Sequence, residues 1–113
     1  IMAGSTDHIT PWRGCYRSTQ LFGGNVEFVL TNQNHTQTIS NKPNKYMKYW
    51  IAGELPRETD DWVSAAEEVP GSWREHWIAW LKERSGAEVE AVKLMGSANY
   101  PALDKAPGVY VLE

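Results

Sequence analysis

The chain has 113 residues and a formal charge of −3, with acids and bases interspersed along it. That length holds one domain at most, and the absence of a basic run disfavours nucleic acid or anionic lipid as a partner. No apolar run approaches the ~18 residues of a membrane helix, no secretory signal is read, and a single cysteine makes no internal disulfide, which suits a reducing cytosol.

The first stretch, Ile1-Met2-Ala3-Gly4, reads as the end of a buried strand. A chain opening inside a strand is expected to be the carboxyl-terminal piece of something longer. Ser5 to Thr10 is then a loop carrying Asp7 and His8. Thr10-Pro11 predicts a helix start, with a hydroxyl N-cap before proline at the first helical position. That helix is expected to reach Phe22 and to stop at Gly23-Gly24 in a left-handed cap. Trp12, Cys15, Tyr16, Thr19 and Phe22 share its apolar face. Val26 to Leu30 predicts the next strand, near-continuously apolar as in a parallel sheet covered on both faces. Strand, helix and strand make one βαβ unit over residues 1–45.

Thr31 to Asn44 is polar and reads as a surface loop carrying His35. Tyr46 to Ile51 is an apolar-aromatic patch of open secondary structure. A helix is expected over Thr59–Glu68, capped by Thr59 and broken by Pro70-Gly71. Ser72–Ser85 is the strongest helix in the chain. Ser72 and Glu75 suggest a capping box, Trp73, Trp77, Trp80 and Leu81 fall on one face, and Gly86 ends it. Of six tryptophans in the chain, these three and Trp62 lie close together, and the expectation is core packing. His76 falls on the polar side and reads as solvated. Val109-Tyr110-Val111-Leu112 suggests a short edge strand. Residues 46–113 thus form a helical, tryptophan-rich carboxyl-terminal segment of the same α/β domain.

Asp7 and His35 stand out chemically. Each follows a predicted strand, where α/β folds place ligands and catalytic groups. Carboxylate then imidazole is also the order of the second and third members of an α/β-hydrolase triad. Read alone, Asp7 is as well explained as a loop cap and His35 as a surface histidine. Three isolated histidines and one cysteine give no metal-ligand spacing. Cys15, on the apolar face of a helix after Asp7, reads as a small hydrophobe and not as a nucleophile.

The residues resemble the carboxyl-terminal part of the polyhydroxyalkanoate synthases. Ala3-Gly4 and Thr6-Asp7-His8-Ile9-Thr10-Pro11-Trp12 are similar to the family's loop around its catalytic aspartate. Cys15-Tyr16-Arg17-Ser18, Leu21-Phe22-Gly23-Gly24 and Glu27-Phe28-Val29-Leu30 resemble the helix and strand that follow. His35, Gln37, Ile39, Asn41 and Pro43 resemble the histidine loop. Gly71-Ser72-Trp73, Trp77, Trp80-Leu81 and Arg84-Ser85-Gly86 resemble the tryptophan helix, and Ala106-Pro107-Gly108 with Tyr110-Val111 the last segment. Asn34 stands where the family usually has glycine, and is expected to keep the loop's shape because asparagine tolerates positive φ. Thr36 replaces the usual isoleucine, and Lys42-Pro43-Asn44 replaces a Pro-Pro-Gly.

The resemblance implies an α/β-hydrolase fold, of which this is the carboxyl-terminal portion, and a polymerase acting on (R)-3-hydroxyacyl-CoA through an acyl-cysteine. It implies Asp7 and His35 as the candidate catalytic residues, with the nucleophile outside this chain and the chain inactive alone. It implies no cofactor, since the CoA thioester is a substrate. The implied partners are the growing polyester and a second copy in the intact enzyme, at the surface of cytoplasmic storage granules. Two alternatives stay open: another acyl hydrolase or transferase of α/β-hydrolase type, and a non-catalytic granule-associated interaction module.

Overall fold

The computed structural model describes residues 1–113. Strand β1 (Met2–Gly4) runs parallel to β2 (Val29–Thr31), with Met2 opposite Val29 and Gly4 opposite Thr31. Parallel neighbours need a crossover, and helix α1 (Trp12–Arg17) with a 3-10 turn at Ser18–Gln20 supplies it. The βαβ unit is present as expected. A short helix α2 (Gln37–Ser40) follows β2. Strand β3 (Lys48–Ile51), helix α3 (Thr59–Ala65), strand β4 (Glu67–Pro70) and helix α4 (Trp73–Lys82) complete the regular elements before a last 3-10 turn at Tyr110–Leu112. β3 and β4 join antiparallel, so the sheet order is β1-β2-β3-β4. The class is α/β, with a mixed sheet.

The two faces of the sheet are built differently. Ala3, Leu30 and Trp50 are cross-strand partners on one face. There α1 and α3 deliver Tyr16 and Trp62, which with Phe28 are wholly buried. Phe28 meets both rings edge-on, at 5.0 Å from each, and Tyr16 lies 5.6 Å from Trp62. Edge-to-face contacts suit the aromatic quadrupole. Tyr16 also donates its hydroxyl to the Pro56 carbonyl at 2.5 Å, and Arg13 pairs with Asp60 at 2.6 Å, tying α1 to α3. The other face carries the row Gly4, Thr31, Tyr49 and Val69. It is roofed by α2 and α4: Thr38 Oγ1 lies 3.3 Å from Thr31 Oγ1, and the His76 ring sits 5.8 Å from that of Tyr49.

Several expectations are corrected. Thr10 does not cap α1: Pro11 is the N-cap and no side chain caps the helix. The helix tightens to 3-10 and ends at Gln20, and neither Gly23 nor Gly24 has positive φ. Phe22, two positions past that end, is 60 % exposed. The polar loop contains α2, whose Thr38, Ile39 and Ser40 give little helical signal. The Thr59–Glu68 helix stops at Ala65, and Thr59 is its first residue, not its cap. Glu67-Glu68 instead enter β4, where pairing with β3 overrides propensity and Lys48 reaches Glu68 at 2.8 Å. Segment 46–113 therefore contributes two strands besides its helices. A 3-10 turn at Tyr110–Leu112 replaces the edge strand expected over Val109–Leu112.

The tryptophan helix forms as expected but is not core. Ser72 caps it by accepting from the Arg74 amide at 3.3 Å, it ends at Lys82, short of the expected Ser85 and of Gly86, and none of its residues is buried. His76 is not solvated; its Nε2 meets Glu27 Oε1 at 2.9 Å. Between α4 and the outer edge of β1–β2 runs an apolar groove of about 640 Å³, bordered by Met2, Phe22, Val29, Ile39, Trp73 and Trp77 among others. Residues 87–113 lie across little: Val89 is 88 % and Leu103 95 % exposed. The radius of gyration, 18.6 Å, exceeds the about 13 Å of a compact chain this long.

Candidate functional site

The site forms where β1 and β2 end. Because the two strands are parallel, both following loops leave from the same edge of the sheet. Ser5 N–H donates to Thr31 O at 2.7 Å and Thr6 N–H to Gln33 O at 3.3 Å, so the pairing continues past the strands and draws the loops together. Gly4 permits this approach. A Cβ there would overlap the Gln33 carbonyl oxygen and lie 2.8 Å from Thr38 Oγ1. Gly4→Ala is therefore expected to push the His35 loop off the Asp7 loop, lowering activity of the intact protein along with its thermal midpoint. A variant matching wild type in both measurements would contradict this packing.

Asp7 is held from four directions. Its Oδ1 accepts the amides of Ile9 and Thr10, each at 2.9 Å. Its Oδ2 accepts the Thr10 hydroxyl at 2.6 Å and faces His35 Nδ1 at 2.8 Å. The carboxylate side chain is 7 % exposed. Desolvation favours its neutral form, but the Thr10 hydroxyl and amide, His35 and the Ile9 amide outweigh it and hold the carboxyl well below the usual carboxylate range. Asp7 thus stays ionised beside the imidazole.

His35 sits on the turn leading into α2. Asn34 Oδ1 accepts the Gln37 amide at 3.0 Å, and Asn34 O accepts the Thr38 hydroxyl at 2.7 Å. Asn34 thus serves through its side chain as a cap, and not through positive φ, which no non-glycine residue here adopts. Gln33, bonded to Asn32 and Asn41, braces the preceding residue. On the same face of the sheet, Trp73 Nε1 donates to Thr38 O at 2.9 Å and Arg74 bonds Ile39 O. The first turn of α4 therefore grips the helix that carries the His35 loop. The histidine side chain is 43 % exposed. Nδ1 faces the carboxylate, and no protein group bonds Nε2.

Of the residues singled out by sequence, Asp7 and His35 meet. His8 is exposed and makes no side-chain hydrogen bond, and Cys15 Sγ, on α1, lies 3.8 Å from the Thr10 carbonyl. Thr10, expected as a helix cap, is instead a partner of Asp7. Its position three residues on, within reach of an aspartate side chain, is the signal that competes with capping. Trp73 and Arg74 as braces of the His35 loop had no sequence signal, since they meet it only in three dimensions.

No protein-family model matches the sequence. Poly(3-hydroxyalkanoate) polymerase 1 of Ectopseudomonas oleovorans is 42 % identical over 113 residues, covering 99 % of this chain and 20 % of that protein. The poly(3-hydroxyalkanoate) polymerase subunits PhaC of Rhizobium etli and Cupriavidus necator are 39 % and 38 % identical, over 99 % and 98 % of the chain. The chain spans about a fifth of the length of the curated relatives it matches. Identity sustained from end to end of the chain, across these separate relatives, makes it part of a synthase: the chain belongs to the poly(3-hydroxyalkanoate) polymerase family.

Proposed function

We propose that this chain supplies the acid–base half of the acyl-transfer site of a polyhydroxyalkanoate synthase with an α/β-hydrolase fold, Asp7 orienting the imidazole and His35 moving the protons. The observation that carries the reading is the 2.8 Å contact between His35 Nδ1 and Asp7 Oδ2, with Nε2 open to solvent. A carboxylate on one ring nitrogen selects the tautomer whose other nitrogen is a base, and stabilises the cation once a proton arrives.

The chemistry follows from that tautomer. A cysteine elsewhere in the intact polymerase loses its proton to His35 Nε2, and its thiolate attacks the carbonyl of a 3-hydroxyacyl-CoA. CoA leaves as a thiolate and takes the proton from the imidazolium. The same Nε2 then accepts the proton of an incoming hydroxyl as its oxygen attacks the acyl-thioester. The ester bond forms and the cysteine thiolate is released. Cys15 takes no part, being on the packed side of α1.

The test is His35→Ala in the intact polymerase, with CoA release and product followed together. Loss of both is expected, while Cys15→Ala keeps both. Polymer formation surviving His35→Ala would mark the segment as an interaction module. Free hydroxyacid in place of polymer from the unaltered protein would make it a hydrolase. This chain alone is expected to release no CoA.

A further inference from the structure

We propose that Thr10 is a positioning residue of the acid–base pair, a two-point clamp that fixes the Asp7 carboxylate, secures the His35 tautomer and tempers the charge the imidazole meets. The proposal rests on the acid–base reading above.

Thr10 holds both carboxylate oxygens. Its amide donates to Oδ1 at 2.9 Å and its hydroxyl to Oδ2 at 2.6 Å. Rotation of the carboxylate about its Cβ–Cγ bond breaks one or both contacts, so the oxygen presented to His35 stays the same. The hydroxyl also lies 3.4 Å from His35 Nδ1. A hydroxyl has one proton, and here Oδ2 has taken it. Toward Nδ1 the Thr10 oxygen therefore offers only lone pairs. Both neighbours of Nδ1 are acceptors, which leaves Nδ1 the protonated nitrogen and Nε2 the base. The helix forgoes a side-chain cap while the hydroxyl is spent in this way.

The clamp acts on charge as well. Each donor to Oδ2 disperses the negative charge that would otherwise stabilise an imidazolium. No other charged side chain pairs with either member. The remaining ion pairs, Arg13–Asp60, Lys48–Glu68, Glu27–His76, Lys82–Glu88 and Glu83–Arg84, all lie elsewhere. The one other titratable group in bonding contact with the clamp is the Cys15 thiol, at the Thr10 carbonyl.

The experiment is the pH dependence of kcat/KM for CoA release by the intact polymerase, as wild type, Thr10→Val, Thr10→Ala and Thr10→Ser. Removing the hydroxyl is expected to lower kcat/KM by about three- to tenfold, the loss of one hydrogen bond, and to move the acid limb of the profile to higher pH. Thr10→Ala should move the limb the same way, and Thr10→Ser should restore it. A drop in activity with the limb unmoved would reduce Thr10 to a structural role and overturn the proposal, as would profiles that coincide with wild type. His35→Ala, run alongside, separates the two ideas. If it alone is harmless the acid–base reading falls; if it abolishes turnover while Thr10→Val changes nothing, only the clamp falls.

Discussion

Replacing Asp7 by Asn in the intact polymerase is expected to cut turnover by roughly 10³- to 10⁴-fold, the scale seen when a buried triad carboxylate becomes an amide. The amide is nearly isosteric, so the loops have little reason to move. Its NH₂ group, however, can donate toward Nδ1, which favours the tautomer protonated at Nε2, and that nitrogen can then no longer accept a proton. Turnover within tenfold of wild type would remove Asp7 from the mechanism. The same variant should change acid stability. In the folded chain the Asp7 carboxyl titrates below its ordinary 3.8, so folding keeps a charge that the unfolded chain neutralises. The stability this supplies is complete above that ordinary value and is lost as pH falls below it. Asp7→Asn should therefore show a smaller fall in its urea midpoint between about pH 5 and about pH 2.5.

The second large effect is structural. Trp62→Ala should destabilise the chain by about 3–5 kcal/mol, the usual range for emptying a buried aromatic site. Trp62 is fully buried, packs on Tyr16 and Phe28, and lies 6.3 Å from Trp12. Small domains have only about 5–15 kcal/mol in total, so the loss takes a large share of the stability. Trp62→Phe tests the cause. The indole Nε1 is buried without a hydrogen-bond partner, so phenylalanine loses volume but also removes an unsatisfied donor. It should cost less than half as much. Equal losses for the two variants in denaturant titrations would mean that ring volume does not set the stability here.

The meeting of Asp7 and His35 was legible because its signals are local. A strand end, a short loop and a proline-led helix place Asp7, and a second apolar run places His35 at the same edge once the strands are parallel. The core face was legible for a similar reason, through the spacing of Trp12, Tyr16 and Thr19. What escaped reading depends on partners distant in sequence. Glu67 and Glu68 look helical until β3 offers them backbone bonds. His76 looks solvated until Glu27 arrives from before β2. Trp77 and Trp80 look like core, yet they border a groove. Thr10 shows a further limit, since capping and carboxylate binding both suit the residue and only the geometry chooses between them.

The sparse interior has a calorimetric consequence. With 12 of 113 residues buried, unfolding this chain exposes far less new surface than its length suggests. Heat capacity change and denaturant sensitivity both scale with that surface. Chains this long commonly show about 12–15 cal/mol/K per residue, and this one should fall well below that. Its melting should be broad, and its stability curve unusually flat with temperature.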